Sequence, residues 1–230
     1  MNIMKKTVLS MAVLAIIVSV AVSACSKDDA NAVKDTPRVV TQTNNGWPEG
    51  ALTRGDDTYL YDVDERRDLN RIDSMLCVYY HYGENPLNNL PSGYCPVLPV
   101  SFPVSQTDSL KGMVVLFENR NRVTAIEELK RVEGILAIEP VYRNGGSLEL
   151  YGPGVQVMVS PGHEEEERII ESIANSLGYS LQHSIPSYRL YVGNHPLVSA
   201  VAACNIIKER RVLDTVFITP GFVRHIHEYK

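Results

Sequence analysis

The chain has 230 residues, of which 44% are hydrophobic, 21% charged and 7% aromatic. These proportions exclude a collagen-like, long coiled-coil, wholly disordered or multi-span membrane protein. The net charge is −5, and removal of residues 1–24, which hold two of the 22 basic residues and none of the 27 acidic ones, takes it to −7; an acidic chain without a basic stripe argues against nucleic acid as a partner.

Residues 1–24 have the parts of a secretory signal. Lys5 and Lys6 precede an apolar run from Val8 to Val22, broken only by Ser10 and Ser19, and small residues Ser23 and Ala24 follow. The run is shorter than the ~20 apolar residues of a permanent membrane helix. Val22-Ser23-Ala24-Cys25 resembles the bacterial lipobox, which implies acylation of Cys25 and anchoring of the chain to a bilayer. Ser26-Lys27-Asp28-Asp29 resembles the acidic export tag of surface lipoproteins in Bacteroidetes-type bacteria. The expected location is the outer membrane, lipid-anchored and facing the cell exterior.

Residues 25–56 read as a flexible tether. They are rich in Asn, Asp, Pro, Gly and Thr and poor in large apolar side chains, too poor to offset the entropy of ordering. The single tryptophan, Trp47, lies within them, and the sequence leaves open whether it docks on the folded part. Three cysteines remain beyond the lipid site. Cys77 and Cys95 flank a stretch rich in Gly, Pro and Asn and form the candidate disulfide, which export would permit. Cys204 falls on an apolar helical stripe, where a free thiol packs as a small hydrophobe. No Cys/His spacing suits zinc, and neither metal nor cofactor is expected.

Residues 57–145 read as a tyrosine-rich α/β block. A buried strand is expected at Gly112–Phe117, and, if the block duplicates the later domain, early strands at Tyr59–Val63 and Met75–Tyr80. Thr124-Ala-Ile-Glu127 has capping-box spacing and predicts a helix stopped by Gly134. A further strand begins at Ile135 and is ended by Pro140. The tyrosines suit a contact surface or simply strands.

Residues 146–230 carry a clearer pattern. Val155, Val157 and Val159 alternate as on a half-buried strand. Pro161 and the acidic run Glu164–Glu167 mark a helix start, where the dipole favours negative charge. Ile169, Ile170, Ile173, Ala174 and Leu177 form the inner stripe, and Gly178 closes the helix. Strands follow at Tyr179–Gln182 and Tyr188–Val192. Pro196 opens a helix with Leu197, Val201, Cys204 and Ile207 inward, and Val212–Ile218 is the last strand. The order is βαββαβ. The predicted fold class is therefore α+β: a ferredoxin-like antiparallel sheet with both helices on one face, preceded by a smaller related α/β block. Lys130–Arg143 and Lys208–Arg224 each run from a helix end through an apolar strand to a proline and an arginine, which fits either duplicated half-domains or convergence of common strand endings.

Several features of Val155–Val223 resemble the propeptide domain of subtilisin-like serine proteases, in the versions found in secreted Bacteroidetes proteins. They are Ser160-Pro161-Gly162 after the first strand, the acidic helix start, Leu177-Gly178, the aromatic strand Tyr188-Arg-Leu-Tyr191, the small-residue helix Ser199–Ala203 and Pro220-Gly-Phe222. That resemblance implies a domain that assists folding of a protease and inhibits it, with its sheet on the enzyme and its C-terminal tail in the substrate cleft. The corresponding partner-binding tail here includes Phe222, Arg224, His225, Ile226, His227 and Tyr229. No segment supplies an Asp/His/Ser triad, and no Gly-x-Ser-x-Gly or His-Glu-x-x-His occurs. His225 and His227 lack an evident third metal ligand. The expectation is a non-enzymatic surface lipoprotein that binds another protein, as a protease inhibitor or chaperone of propeptide type; the alternative is a structural or adhesive envelope lipoprotein that keeps only the fold.

Overall fold

A computed structural model describes residues 45–48, 50–53, 55–62, 65–105, 109–210, 217–221 and 223–227. Cys25, Phe222 and Tyr229, the lipid signal and most of the expected tether lie outside the described residues. Mixed α and β structure is present as expected: antiparallel sheets and three α-helices.

A hairpin of β1 (Tyr59–Asp62) and β2 (Glu65–Asp68) stands apart from two larger sheets. The first of these comprises β3 (Asn70–His81), β4 (Tyr94–Pro103), β5 (Ser109–Phe117), β6 (Ala137–Asn144), β7 (Ser147–Tyr151) and the C-terminal β12 (Val223–His227). Its order is β12-β7-β6-β3-β5-β4. The second comprises β8 (Gly154–Met158), β9 (Tyr179–Ile185), β10 (Tyr188–Gly193) and β11 (Phe217–Pro220), in the order β11-β8-β10-β9. Every pairing in both is antiparallel.

The expected boundary between residues 145 and 146 does not divide the sheets. β7 and β12, both from the later part of the chain, complete the six-stranded sheet. A strand inside a sheet satisfies its backbone N–H and C=O groups through neighbours on both sides, and β6 finds its outer neighbour in β7.

The helices begin later or earlier than their proline and capping signals suggested. In α1 (Arg122–Leu129) the N-cap is Asn121, whose side chain accepts a hydrogen bond from the Thr124 amide. Thr124 is thus inside the helix rather than at its cap, and the helix ends five residues before Gly134. α2 (Glu164–Ser176) starts after the Pro161-Gly162 turn, with four glutamates in its first turn, and Gly178 follows its C-cap at φ +85°. α3 (Ala200–Arg210) starts four residues after Pro196. Pro140 does not end a strand: β6 runs through it, opposite Leu76. The register of β3 shifts between Arg71 and Leu76, and such an irregularity accommodates a residue without an N–H.

Three apolar clusters fill the interior. One packs α1 against Leu76, Val78, Val115 and Ile138. A second places α2 and α3 on Val155, Val157, Tyr191 and Ile218, and extends to Tyr142 and Tyr151. The third joins the two sheets, with Leu190 and Val192 among Tyr79, Val100, Phe102 and Val141. Phe102 is held where Gly152, Gly154 and Gly221 converge, and a Cβ at any of the three would collide with its ring.

Two expectations fail here. Cys77 and Cys95 are not bridged: Cys77 is buried and Cys95 exposed. Cys77 lies on β3 opposite Val114, and Cys95 on β4 opposite Leu116, so β5 runs between them. Two strand spacings separate them by roughly 9–10 Å or more, beyond the about 7 Å reach of a disulfide. Among the described residues of the expected tether, three also depart from it. Trp47, Ala51 and Leu52 are buried against α1, and the Leu52 amide donates to the Leu197 carbonyl at 2.7 Å. One large aromatic carries enough apolar surface to order a segment that composition alone marks as loose.

Candidate functional site

The sequence pointed to the C-terminal tail, and its described part is a strand. β12 pairs with β7 throughout, with His225 opposite Glu149 and Ile226 opposite Leu148. Ile226 is half-buried against the cluster between the sheets. Residues 223–227 therefore do not form a loose tail. They lie at the outer edge of the six-stranded sheet, and among the described residues no strand pairs with their other side. Arg224 and His225 pair in register with Leu150 and Glu149, and His227 with Ser147.

A second exposed feature was not foreseen. Cross-strand partners share a face of a sheet. Phe217 of β11 lies opposite Met158 of β8, Met158 opposite Tyr188 of β10, and Tyr188 opposite Ile185 of β9. The four make one apolar row across the whole four-stranded sheet, on the face away from α2 and α3. Phe217, Met158 and Ile185 are 41%, 52% and 49% exposed. The alternation was visible only for β8, since strand order, and hence the row, cannot be read from spacing.

The tyrosines mostly serve the core. Tyr142 and Tyr151 are fully buried, and Tyr79, Tyr80 and Tyr59 nearly so. Tyr142 donates to the Asp57 carbonyl at 2.8 Å and Tyr79 to the Tyr151 carbonyl at 3.0 Å. Burial pushes the phenols of Tyr80, Tyr142 and Tyr151 up, well above the ordinary value for Tyr142, while the hydrogen bond to Glu209, with burial second, raises Tyr59. Tyr82, 75% exposed, is the exception, with the Lys111 ammonium over its ring.

Several buried charges among the described residues are paired. Asp57 accepts from Arg71 at 2.5 Å and Arg122 at 2.8 Å. Glu149 accepts from Arg67 at 2.6 Å, Asn144 at 3.1 Å and the Tyr151 hydroxyl. Burial pushes the Glu149 carboxyl up, but these donors outweigh it and hold the group below its usual range. Glu139 is fully buried and receives the Ala200 amide at the start of α3. Burial raises it well above the ordinary carboxylate value. Burial likewise pushes the Cys77 thiol up to about 12, the opposite of what a nucleophile needs. Among the described residues no cluster of His, Cys, Asp and Glu is fit to hold a metal, and no helix is long and apolar enough to cross a membrane.

The comparisons with known proteins add little. No protein-family model matches the chain, and no curated protein does. Among solved structures, the acetolactate synthase small subunit from Thermotoga maritima is similar over 69% of this chain and 99% of its own, at 8% identity and a TM-score of 0.26.

Proposed function

We propose that the protein is a non-enzymatic cell-surface lipoprotein, anchored through Cys25 to the outer membrane, that works by binding another protein. The observation that carries this reading is the position of β12: a terminal strand, paired on one side only, at the rim of a sheet. An extended segment of a partner adds to such an edge through main-chain hydrogen bonds, while side chains of the strand give selectivity. The partner is a protease, which the chain inhibits or helps to fold in the manner of a propeptide. Because residues 223–227 pair with β7, they meet the partner as the rim of a sheet and not as a free peptide threaded into a cleft.

The finer fold assignment belongs to the same reading. The later sheet is a ferredoxin-like βαββαβ unit, supported by the order β11-β8-β10-β9 with α2 and α3 on one face. The order β6-β3-β5-β4 within the larger sheet repeats the same arrangement of first, second, third and fourth strands. That supports a duplicated half-domain in which the short 3-10 turn Pro86–Asn89 takes the place of the first helix.

The test is an inhibition and refolding assay of residues 26–230 against secreted subtilisin-like and cysteine proteases. Inhibition lost on deleting residues 224–230 is the expected result. No effect on any protease, together with recovery of envelope components alone from intact cells, would replace the protease reading with the structural or adhesive one.

A further inference from the structure

We propose that two copies of the chain join through β9, side by side and antiparallel across a two-fold axis. The proposal goes beyond the binding role assigned to β12 and does not depend on it.

The outer strands of the two larger sheets are β4, β12, β11 and β9. Proteins guard such edges with proline, charge, shortness or a bulge. β4 carries Pro96, Pro99 and Pro103; β11 is four residues long and ends in Pro220; β12 is the edge assigned above to a partner of another kind. β9 is seven residues long, Tyr179-Ser-Leu-Gln-His-Ser-Ile185, with no proline and no Lys, Arg, Asp or Glu. Its guards are the register shift that leaves Gln182 without a partner on β10 and the Arg189 guanidinium, which donates to the carbonyl of Ile185 at the strand's end. Leu181 and Ile185 are exposed large apolar side chains on this strand. They sit on opposite faces, since Leu181 pairs with Tyr191 and Ile185 with Tyr188, so the edge is apolar above and below.

The occupant follows from charge and symmetry. A mature chain of net charge −7 repels its own copy over most of its surface, and like charges directly opposite one another destabilise a strand pair. β9 brings none. An isologous interface must be complementary to itself, which neutral Ser180, Gln182 and Ser184 and apolar Ile185 satisfy. A two-fold axis perpendicular to the sheet makes the new pairing antiparallel, as all others in this molecule are. It also sets the rows Phe217–Met158–Tyr188–Ile185 of both copies on the same face of one eight-stranded sheet.

The full-length chain, extracted in mild detergent, is examined by light scattering across a wide concentration range. The expected result is a dimer that dissociates on dilution, and a monomer at all concentrations for the variant Leu181→Lys/Ile185→Lys. Val97→Lys, an equally exposed apolar position on β4, stays dimeric. Wild-type chain that is monomeric throughout, or a dimer that both lysines leave intact, overturns the proposal. So does a monomer that dimerises only when residues 26–44 are removed, which would assign the edge to the chain's own segment. Should the double variant fail to fold, amide hydrogen exchange of wild type decides: Ser180–Ser184 exchange more slowly as concentration rises, and exchange independent of concentration overturns the inference.

Discussion

Glu139 of β6 and Ala200 of α3 are joined by a hydrogen bond inside the molecule: the Ala200 amide lies 2.9 and 3.2 Å from the two carboxylate oxygens of Glu139. Sixty-one residues apart in sequence, they tie the six-stranded sheet to the start of a helix that packs on the other sheet. A helix start leaves amides without partners, and here a strand supplies the acceptor. Ser199 adds a longer bond to the Ala202 amide.

The burial that raises the Glu139 carboxyl sets a pH dependence. Between its unfolded and folded values the native state holds the extra proton, so this group's contribution is full below the ordinary value of 4.5 and is lost as pH rises toward the folded value. Glu139→Gln keeps an acceptor for Ala200 without a charge. The expected outcome is a thermal midpoint that falls less from acid toward neutral pH than in wild type. Glu139→Leu removes the acceptor and costs about 1–2 kcal/mol in urea unfolding.

Trp47 stands against His195 with ring centroids 4.9 Å apart, and the imidazole lies 3.2 Å from the Ile135 carbonyl through Nε2. Trp47→Ala removes a fully buried indole and is expected to cost about 3–5 kcal/mol. Urea titration followed by far-ultraviolet circular dichroism measures it; a cost below 1 kcal/mol would show that residues 45–52 dock weakly.

Burial holds His195 below its ordinary value of 6.5. Its contribution is therefore present above 6.5 and lost as pH falls below it, because the unfolded chain takes up the proton first. Fluorescence of the single tryptophan reports this directly. His195→Gln is expected to flatten the change in stability between pH 7 and pH 5, while wild type loses stability over that range.

Asp57 is shared by two arginines whose side chains are 27% and 15% exposed. Arg71→Ala or Arg122→Ala alone leaves one partner. The double variant leaves a buried carboxylate unpaired and is expected to cost about 3–5 kcal/mol, more than the sum of the single losses. A double-mutant cycle in urea tests this.

Of the three described cysteines, only Cys95 is open to solvent. In the native protein a thiol reagent is expected to label Cys95 and spare Cys77 and Cys204, whose thiols burial pushes up. Denaturation exposes all three. A reductant is expected to leave the thermal midpoint unchanged, and a drop would restore the bridge that the strand order forbids.

Local signals were most legible where they agreed with one another. The acidic first turn, the Ile170–Ala174 stripe and Gly178 marked α2 to within a few residues, and alternation marked β8. Misreadings arose where a residue's meaning depends on a distant partner. Pro140 reads as a stop until β3 shifts opposite it. Cys77 and Cys95 read as a pair until β5 comes between them. Trp47 reads as part of a tether until α1 offers it a surface. The apolar row and the seat of β12 depend on which strands are neighbours, and no spacing along the chain encodes that.

Phe102 imposes an order on assembly. Its ring, from β4, is enclosed by glycines at 152, 154 and 221, and the Gly221 amide donates to Gly154 at 2.6 Å while its carbonyl receives Gly152 at 2.8 Å. The enclosure is finished by Gly221, 119 residues further along the chain than Phe102. A nascent polypeptide that has not reached Gly221 thus lacks the latch around Phe102, and glycines from distant parts of the chain must come together before the ring is enclosed.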